Sequence, residues 1–204
     1  MKGKLPSCCR RVLPALIGAL AGLGLLFGLA PRSAALAADE AREAAAWEAL
    51  RGGAIALFRH ANAPGGGDPA GMRLGDCTTQ RNLDEAGRQQ ARRIGEAFRK
   101  REIAVGAVLT SQWCRTTETA NLAFPGKARP EPIFNSFFDA RSNGPAQTRD
   151  ARALLSRWAG PGALVVSTHQ VNITGLTGIV PASGEGIVVR VTGGEVAVIG
   201  RIRP

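Results

Sequence analysis

Ala54-Ile55-Ala56-Leu57-Phe58-Arg59-His60-Ala61 is an apolar run of strand length that ends in an arginine and a histidine. Gly52-Gly53 precede it, and the loop Asn62-Ala63-Pro64-Gly65-Gly66-Gly67 follows. So short a run between glycine breaks reads as a strand buried on both faces. Arg59 and His60 then emerge at its carboxyl end, the edge of an open α/β sheet where loops and helix N-termini converge on ligands. The other histidine of the chain, His169, follows a second run of the same kind, Ala163-Leu164-Val165-Val166-Ser167-Thr168. Two strands thus deliver both histidines in the same manner.

The amino terminus reads as a targeting segment. Lys2, Lys4, Arg10 and Arg11 precede an uncharged stretch over residues 12–30, and Ala35-Leu36-Ala37 forms a small-residue cleavage site. This is the order of a signal peptide, with cleavage expected after Ala37; a retained membrane anchor is the alternative. The expected organisation is a signal peptide over residues 1–37 and one domain over 38–204, exported to the periplasm, with no stable membrane span after cleavage. The leader holds five basic residues and no acidic one, so the formal charge falls from +10 to +5 on its removal. No basic block with interleaved aromatics remains and Tyr is absent, which argues against nucleic acid and for anionic small substrates or an anionic envelope surface. Cys8 and Cys9 leave with the leader. Cys77 and Cys114 stay, and an even pair in an exported chain suggests a disulfide that pins the loop after His60 to the segment carrying Arg115.

Along the expected domain, strands alternate with helices. A short helix is expected over 38–51, ahead of the first strand. Leu83, Gly87, Ala91, Ile94 and Phe98 recur at helical spacing over residues 84–101. Asp84 is placed to cap that helix, with Arg88, Arg92, Arg93, Arg99 and Lys100 on its solvated face. Residues 103–110 read as a second strand, 115–124 as a helix, 131–138 as a weaker strand or extended segment, and 147–158 as a helix. After the strand at 163–168 come a short helix at 171–176 and two strands, 186–192 and 195–202. Gly193-Gly194 between the last two signals a hairpin. The sum is an α/β fold, a three-layer α-β-α sandwich with a mostly parallel central sheet and an antiparallel edge. The long glycine-rich loop over 62–82 is expected across the mouth of the site.

Three strand-to-helix junctions each present a cation or an imidazole: Arg59-His60, Arg115 and His169. Arg115 falls in the first turn of its helix, where free N–H groups and the dipole favour an anion. Arginines offer bidentate donors to phosphoryl oxygens, and a neutral imidazole can attack phosphorus. Singly, each residue has a plainer reading, as a surface arginine or a structural histidine.

Phe58-Arg59-His60-Ala61, the stretch NLDEAGRQQA at 82–91, SQWCRTTETA at 111–120 and Thr168-His169-Gln170 resemble, in order, the landmarks of the histidine phosphatase superfamily, to which phosphoglycerate mutases belong. The resemblance implies that His60 is the nucleophile that becomes phosphohistidine. Arg59, Arg115 and His169 would form the phosphate pocket, and no cofactor or metal is implied. Three departures stand out. Ala61 replaces the usual Gly, the Gly65–Gly67 run replaces an Asn, and Gln170 stands where acid phosphatases carry a proton-donating Asp. In the mutase-like branch an acid after the second arginine donates the proton. Asp139 is the nearest candidate here, with Glu118 as runner-up.

The expectation is an exported phosphatase acting on phosphate monoesters, with an envelope sugar phosphate such as a lipopolysaccharide core heptose phosphate as substrate. A non-catalytic phosphate-binding envelope module and a phosphomutase-like phosphotransferase are the alternatives. Because the chain has no room for a large capping domain, a shallow, open site is expected.

Overall fold

A computed structural model describes residues 30–204 of the chain. The expected basic and apolar parts of the leader lie outside the described residues. The expected cleavage point falls within the first helix, α1 (Ala30–Arg51), which begins earlier than the expected residue 38. The larger of two compact units is Ala38–Pro204.

Six strands form one sheet: β1 (Ile55–Arg59), β2 (Val105–Thr110), β3 (Ala128–Pro130), β4 (Ala163–Thr168), β5 (Gly186–Thr192) and β6 (Glu195–Ile202). Their spatial order is β3-β2-β4-β1-β5-β6. The first four run parallel, while β5 pairs antiparallel with both β1 and β6. The Gly193-Gly194 link turns β5 into β6 with both glycines at positive φ, the conformation that a two-residue hairpin turn requires.

Period-two alternation along β1 sorts its side chains into two cores. Ala54, Ala56 and Phe58 join Trp47 and Leu50 of α1, Ile94 and Phe98 of α2 (Glu85–Lys100), and Ala120 and Ala123 of α3 (Cys114–Ala123). Ile55 and Leu57 face the opposite way, onto Ala151 and Leu155 of α4 (Gly144–Leu155) and Ile173 and Leu176 of α5 (Gln170–Thr177). The result is the expected α-β-α sandwich, with β1 and β4 central and buried on both sides.

Helix α2 starts as its sequence predicts: the Asp84 carboxylate accepts from the Gly87 N–H at 2.6 Å. Two glycines let this helix lie close to its neighbours. A Cβ at Gly87 would stand 2.0 Å from the Asn62 carbonyl oxygen, and one at Gly95 2.0 Å from that of Ala123. Arg88 is not simply solvated, because its Nε donates to Glu118 on α3 at 2.7 Å.

The third strand departs from expectation. It is Ala128–Pro130, and the expected 131–138 strand is instead a 3-10 turn, Pro132–Phe134, followed by loop. The Glu131 N–H makes the last bond to β2, to the Thr110 carbonyl at 2.8 Å, and Pro132, without an N–H, opens the turn. The Glu131 carboxylate caps the turn at the Ile133 N–H, and Phe134 drops into the core.

Candidate active site

Backbone register brings the expected residues to one edge. Arg59 lies beside Thr168 and Thr110 beside Ser167. The ladder continues one step past the strands, with the His60 N–H donating to the Thr168 carbonyl at 2.9 Å and that of Ser111 to Ser167 at 3.0 Å. His60, Ser111 and His169 therefore leave three adjacent strands at the same height. The two imidazole centroids are 5.6 Å apart. Thr119 couples the first junction to α3, its hydroxyl accepting from the Ala61 N–H and donating to the Arg115 carbonyl.

A cavity of about 160 Å³ brings together Arg59, His60, Arg115, His169 and Asp139, together with Gly65–Gly67, Asp68 and Arg81. It is not the shallow, open site expected. His60 is 3%, Arg115 3% and His169 4% exposed, because the Gly65–Asp68 stretch folds over the strand ends.

Each histidine is held in one tautomer. His60 Nδ1 lies 2.8 Å from its neighbour's carbonyl oxygen, that of Ala61, which can only accept. Nδ1 therefore carries the hydrogen, and Nε2 keeps its lone pair. Burial, reinforced by the charges of Arg115, Arg81 and Arg59, pushes the His60 pKa down to about 3, so the ring is neutral at ordinary pH. At His169, Nδ1 faces Arg115 Nη2 at 3.4 Å and Nε2 faces the Ser111 hydroxyl at 2.8 Å. The guanidinium can only donate, so the hydrogen of this ring is on Nε2. Burial, with Arg115 next, lowers the His169 pKa well below the usual value, and this ring too is neutral.

Two residues at this site escaped the sequence reading. Asp68 accepts from both Nη atoms of Arg115, at 2.7 and 3.1 Å, from the Trp113 indole at 2.9 Å and from the Arg81 N–H at 3.1 Å. Burial raises its pKa, but the Arg115 fork and the other donors outweigh burial and hold the carboxyl below its usual range. Arg81 joins Arg59 and Arg115 as a third guanidinium. It is anchored by its Nη1 on the Ala63 carbonyl and faces the same cavity. Its position just before the NLDEAG stretch was the available signal; a loop arginine carries no periodicity by which to recognise it.

The two remaining acids separate. Asp139 is exposed on the cavity rim with Ser136 and Phe138. Glu118, the runner-up, is turned to Arg88 and does not line the cavity. On α3 it faces α2, where Arg88 holds it at 2.7 Å.

Cys77 and Cys114 are bonded to each other. The bond joins a 3-10 turn of the covering loop, Cys77–Thr79, to the residue before Arg115. Gln80 reinforces the junction, its side-chain oxygen accepting from the Cys114 N–H at 2.9 Å. With a sequence separation of 37, loop-closure entropy gives a contribution of about 3 to 4 kcal/mol. Reduction is expected to lower the melting temperature and, by loosening the loop over the cavity, to raise KM more than it lowers kcat. Unchanged melting under reductant that demonstrably frees both thiols would count against this.

Removing Asp68 tests the buried pair from the other side. Its side chain is 10% and that of Arg115 4% exposed, so Asp68→Ala leaves a buried cation without its counter-ion. A loss of about 3 to 5 kcal/mol is expected. Inorganic phosphate should restore part of it, raising the melting temperature more in the variant than in the wild type. Equal stability of the two proteins in phosphate-free buffer would contradict this account of Arg115.

No functionally curated sequence matches the chain. Its fold is similar to that of an open-reading-frame product from Mycobacterium tuberculosis, with a TM-score of 0.54, 14% identity, and 72% of this chain and 95% of that one covered. It is also similar to the protein histidine phosphatase SixA complexed with tungstate, at a TM-score of 0.51, 15% identity and coverage of 74% and 97%. YhfR of Bacillus stearothermophilus gives a TM-score of 0.51 at 16% identity, covering 71% and 94%. At such identities the likeness concerns the fold. The sequence itself says more: residues 55–159, just over half of the chain, match the histidine phosphatase superfamily (branch 1), and the chain belongs to that family.

Proposed function

We propose that the chain is a phosphomonoesterase working through a phosphohistidine at His60. One observation carries this reading. The Nε–H donors of Arg59, Arg81 and Arg115 are all buried without a protein partner, around an imidazole whose Nε2 lone pair is fixed by its tautomer. Buried donors without partners are rare, and three on arginines that line one cavity fit a tetrahedral oxyanion. Asp68 occupies the Nη fork of Arg115 and thereby orients it.

In this mechanism His60 Nε2 attacks phosphorus and forms an N–P bond as the ester P–O bond breaks. The three guanidiniums stabilise the charge on the equatorial oxygens, and the Arg115–His169 contact holds the pocket's far wall. Asp139, on the rim, protonates the departing alkoxide; as carboxylate it then takes a proton from the water that cleaves the N–P bond. Water as acceptor gives hydrolysis, whereas an acceptor alcohol would give a mutase-like transfer.

We place this activity outside the cytosol, on an envelope sugar phosphate. The leader-like amino terminus and the Cys77–Cys114 bond support that location. Hydrolysis of p-nitrophenyl phosphate in the presence of EDTA, inhibited by tungstate, is the test. Phosphate binding with no turnover of any ester would instead favour a phosphate-binding module.

A further inference from the structure

We infer that the substrate carries a second anionic group, a phosphate on the same sugar or polyol, and that a groove beside the phosphate cavity receives it. The inference rests on the phosphomonoesterase reading and names the leaving-group side of that site. A groove of about 570 Å³ runs between the segment after β3, the start of α4 and the start of α5. It shares Phe138, Gln170 and Val171 with the cavity around His60, so the two are adjacent. Its size suits a small organic ligand, whereas the cavity of about 160 Å³ suits little more than the phosphoryl group.

The lining chemistry selects the ligand. Arg141, Arg149 and Arg152 line the groove, and no acidic side chain does so among the described residues. Arg149 is paired with Asp150 at 2.9 Å, so the uncompensated charge comes from Arg141 and Arg152. The Nε–H of Arg152 is buried without a partner. Arg141 stacks over the Phe138 ring at 4.8 Å, and that ring is itself 45% exposed. An exposed aromatic at the junction offers a face to a sugar ring, with cations beyond it for a second anion. Asp139 stands directly after Phe138, where the ester oxygen linking the two parts would pass.

The test compares glucose 1,6-bisphosphate with glucose 1-phosphate and glucose 6-phosphate. One charge-assisted contact corresponds to a preference of roughly 10- to 100-fold in kcat/KM for the bisphosphate. The Arg141→Gln/Arg152→Gln variant should lose most of that preference while hydrolysing p-nitrophenyl phosphate within about twofold of wild type. Arg141→Gln alone, at an exposed position, should lose part of it even if the double variant folds poorly. Equal kcat/KM for the bisphosphate and the monophosphates, or a preference that survives Arg141→Gln undiminished, would overturn the inference. Binding of the same three sugars to His60→Ala protein by calorimetry separates the two readings. If no ester is hydrolysed the phosphatase reading falls, and the groove is then judged by whether the bisphosphate binds more tightly.

Discussion

His60→Ala is expected to abolish turnover, by at least about 10⁴-fold, while inorganic phosphate still binds. The loss is large because no other group in the cavity can take the nucleophile's place. His169 Nδ1 is turned to Arg115 and its Nε2 to Ser111, so its ring has no free lone pair to offer phosphorus. Binding survives because Arg59, Arg81 and Arg115 are held by contacts that do not involve the His60 ring: Arg59 by the Pro181 carbonyl, Arg81 by that of Ala63, Arg115 by Asp68. Rapid-quench labelling should recover acid-labile phosphate on His60 alone, and label on any other residue would sink the assignment. The pKa of about 3 adds a pH signature. His60 is neutral from pH 8 down to about 4, so it contributes no acid limb to kcat/KM in that range. In stability the sign is opposite to that of a histidine in an ion pair. The unfolded ring, with its ordinary pKa near 6.5, binds more protons than the folded one between pH 6.5 and 3. Acidification through that window therefore costs the wild type stability, and His60→Ala should lose less over the same interval.

Asp139→Asn is expected to slow hydrolysis of alkyl phosphates by roughly 10² to 10⁴ and barely affect aryl phosphates with acidic leaving groups. Two acids line the cavity among the described residues, Asp68 and Asp139. Asp68 is locked on Arg115 and Trp113 with its pKa lowered, so it holds no proton to give at neutral pH. Gln170, at the start of α5, faces the cavity but cannot donate an acidic proton. Asp139 is left, beside Phe138 where the cavity adjoins the arginine-lined groove. A leaving-group-dependent loss is the decisive signature. Equal losses on alkyl and aryl esters would point to another donor or to a collapsed rim.

Much of this was legible before any coordinates. The runs ending at Phe58 and Thr168 are apolar without alternation, so they had to be central strands. A strand that carries a polar pair out of a buried sheet can release it only at the edge. That local logic predicted where Arg59, His60 and His169 emerge, and the helical start at Asp84 followed from its capping chemistry. The expected disulfide followed from cysteine parity in a chain whose amino terminus reads as a leader. The 131–138 segment reads as extended because apolar residues continue to Phe138, whereas the last bond to β2 is made at Glu131 and the chain turns at Pro132.

Only the tertiary structure decided what lies opposite these residues. Nothing local marks Asp68, inside a glycine-rich loop, as the counter-ion of a residue 47 positions away. Arg81 likewise joins Arg59 and Arg115 at the cavity only through the path of the loop that Cys77 and Cys114 tie down. Glu118 and Asp139 could not be ranked from spacing, because the choice depends on which face of α3 meets α2 and on where the loop after Phe138 falls. The sequence by itself determined which strands end in reactive side chains, since burial and periodicity are local. The fold decided their partners, because a charge pair across a loop is set by chain closure and by the desolvation that packing imposes on both groups.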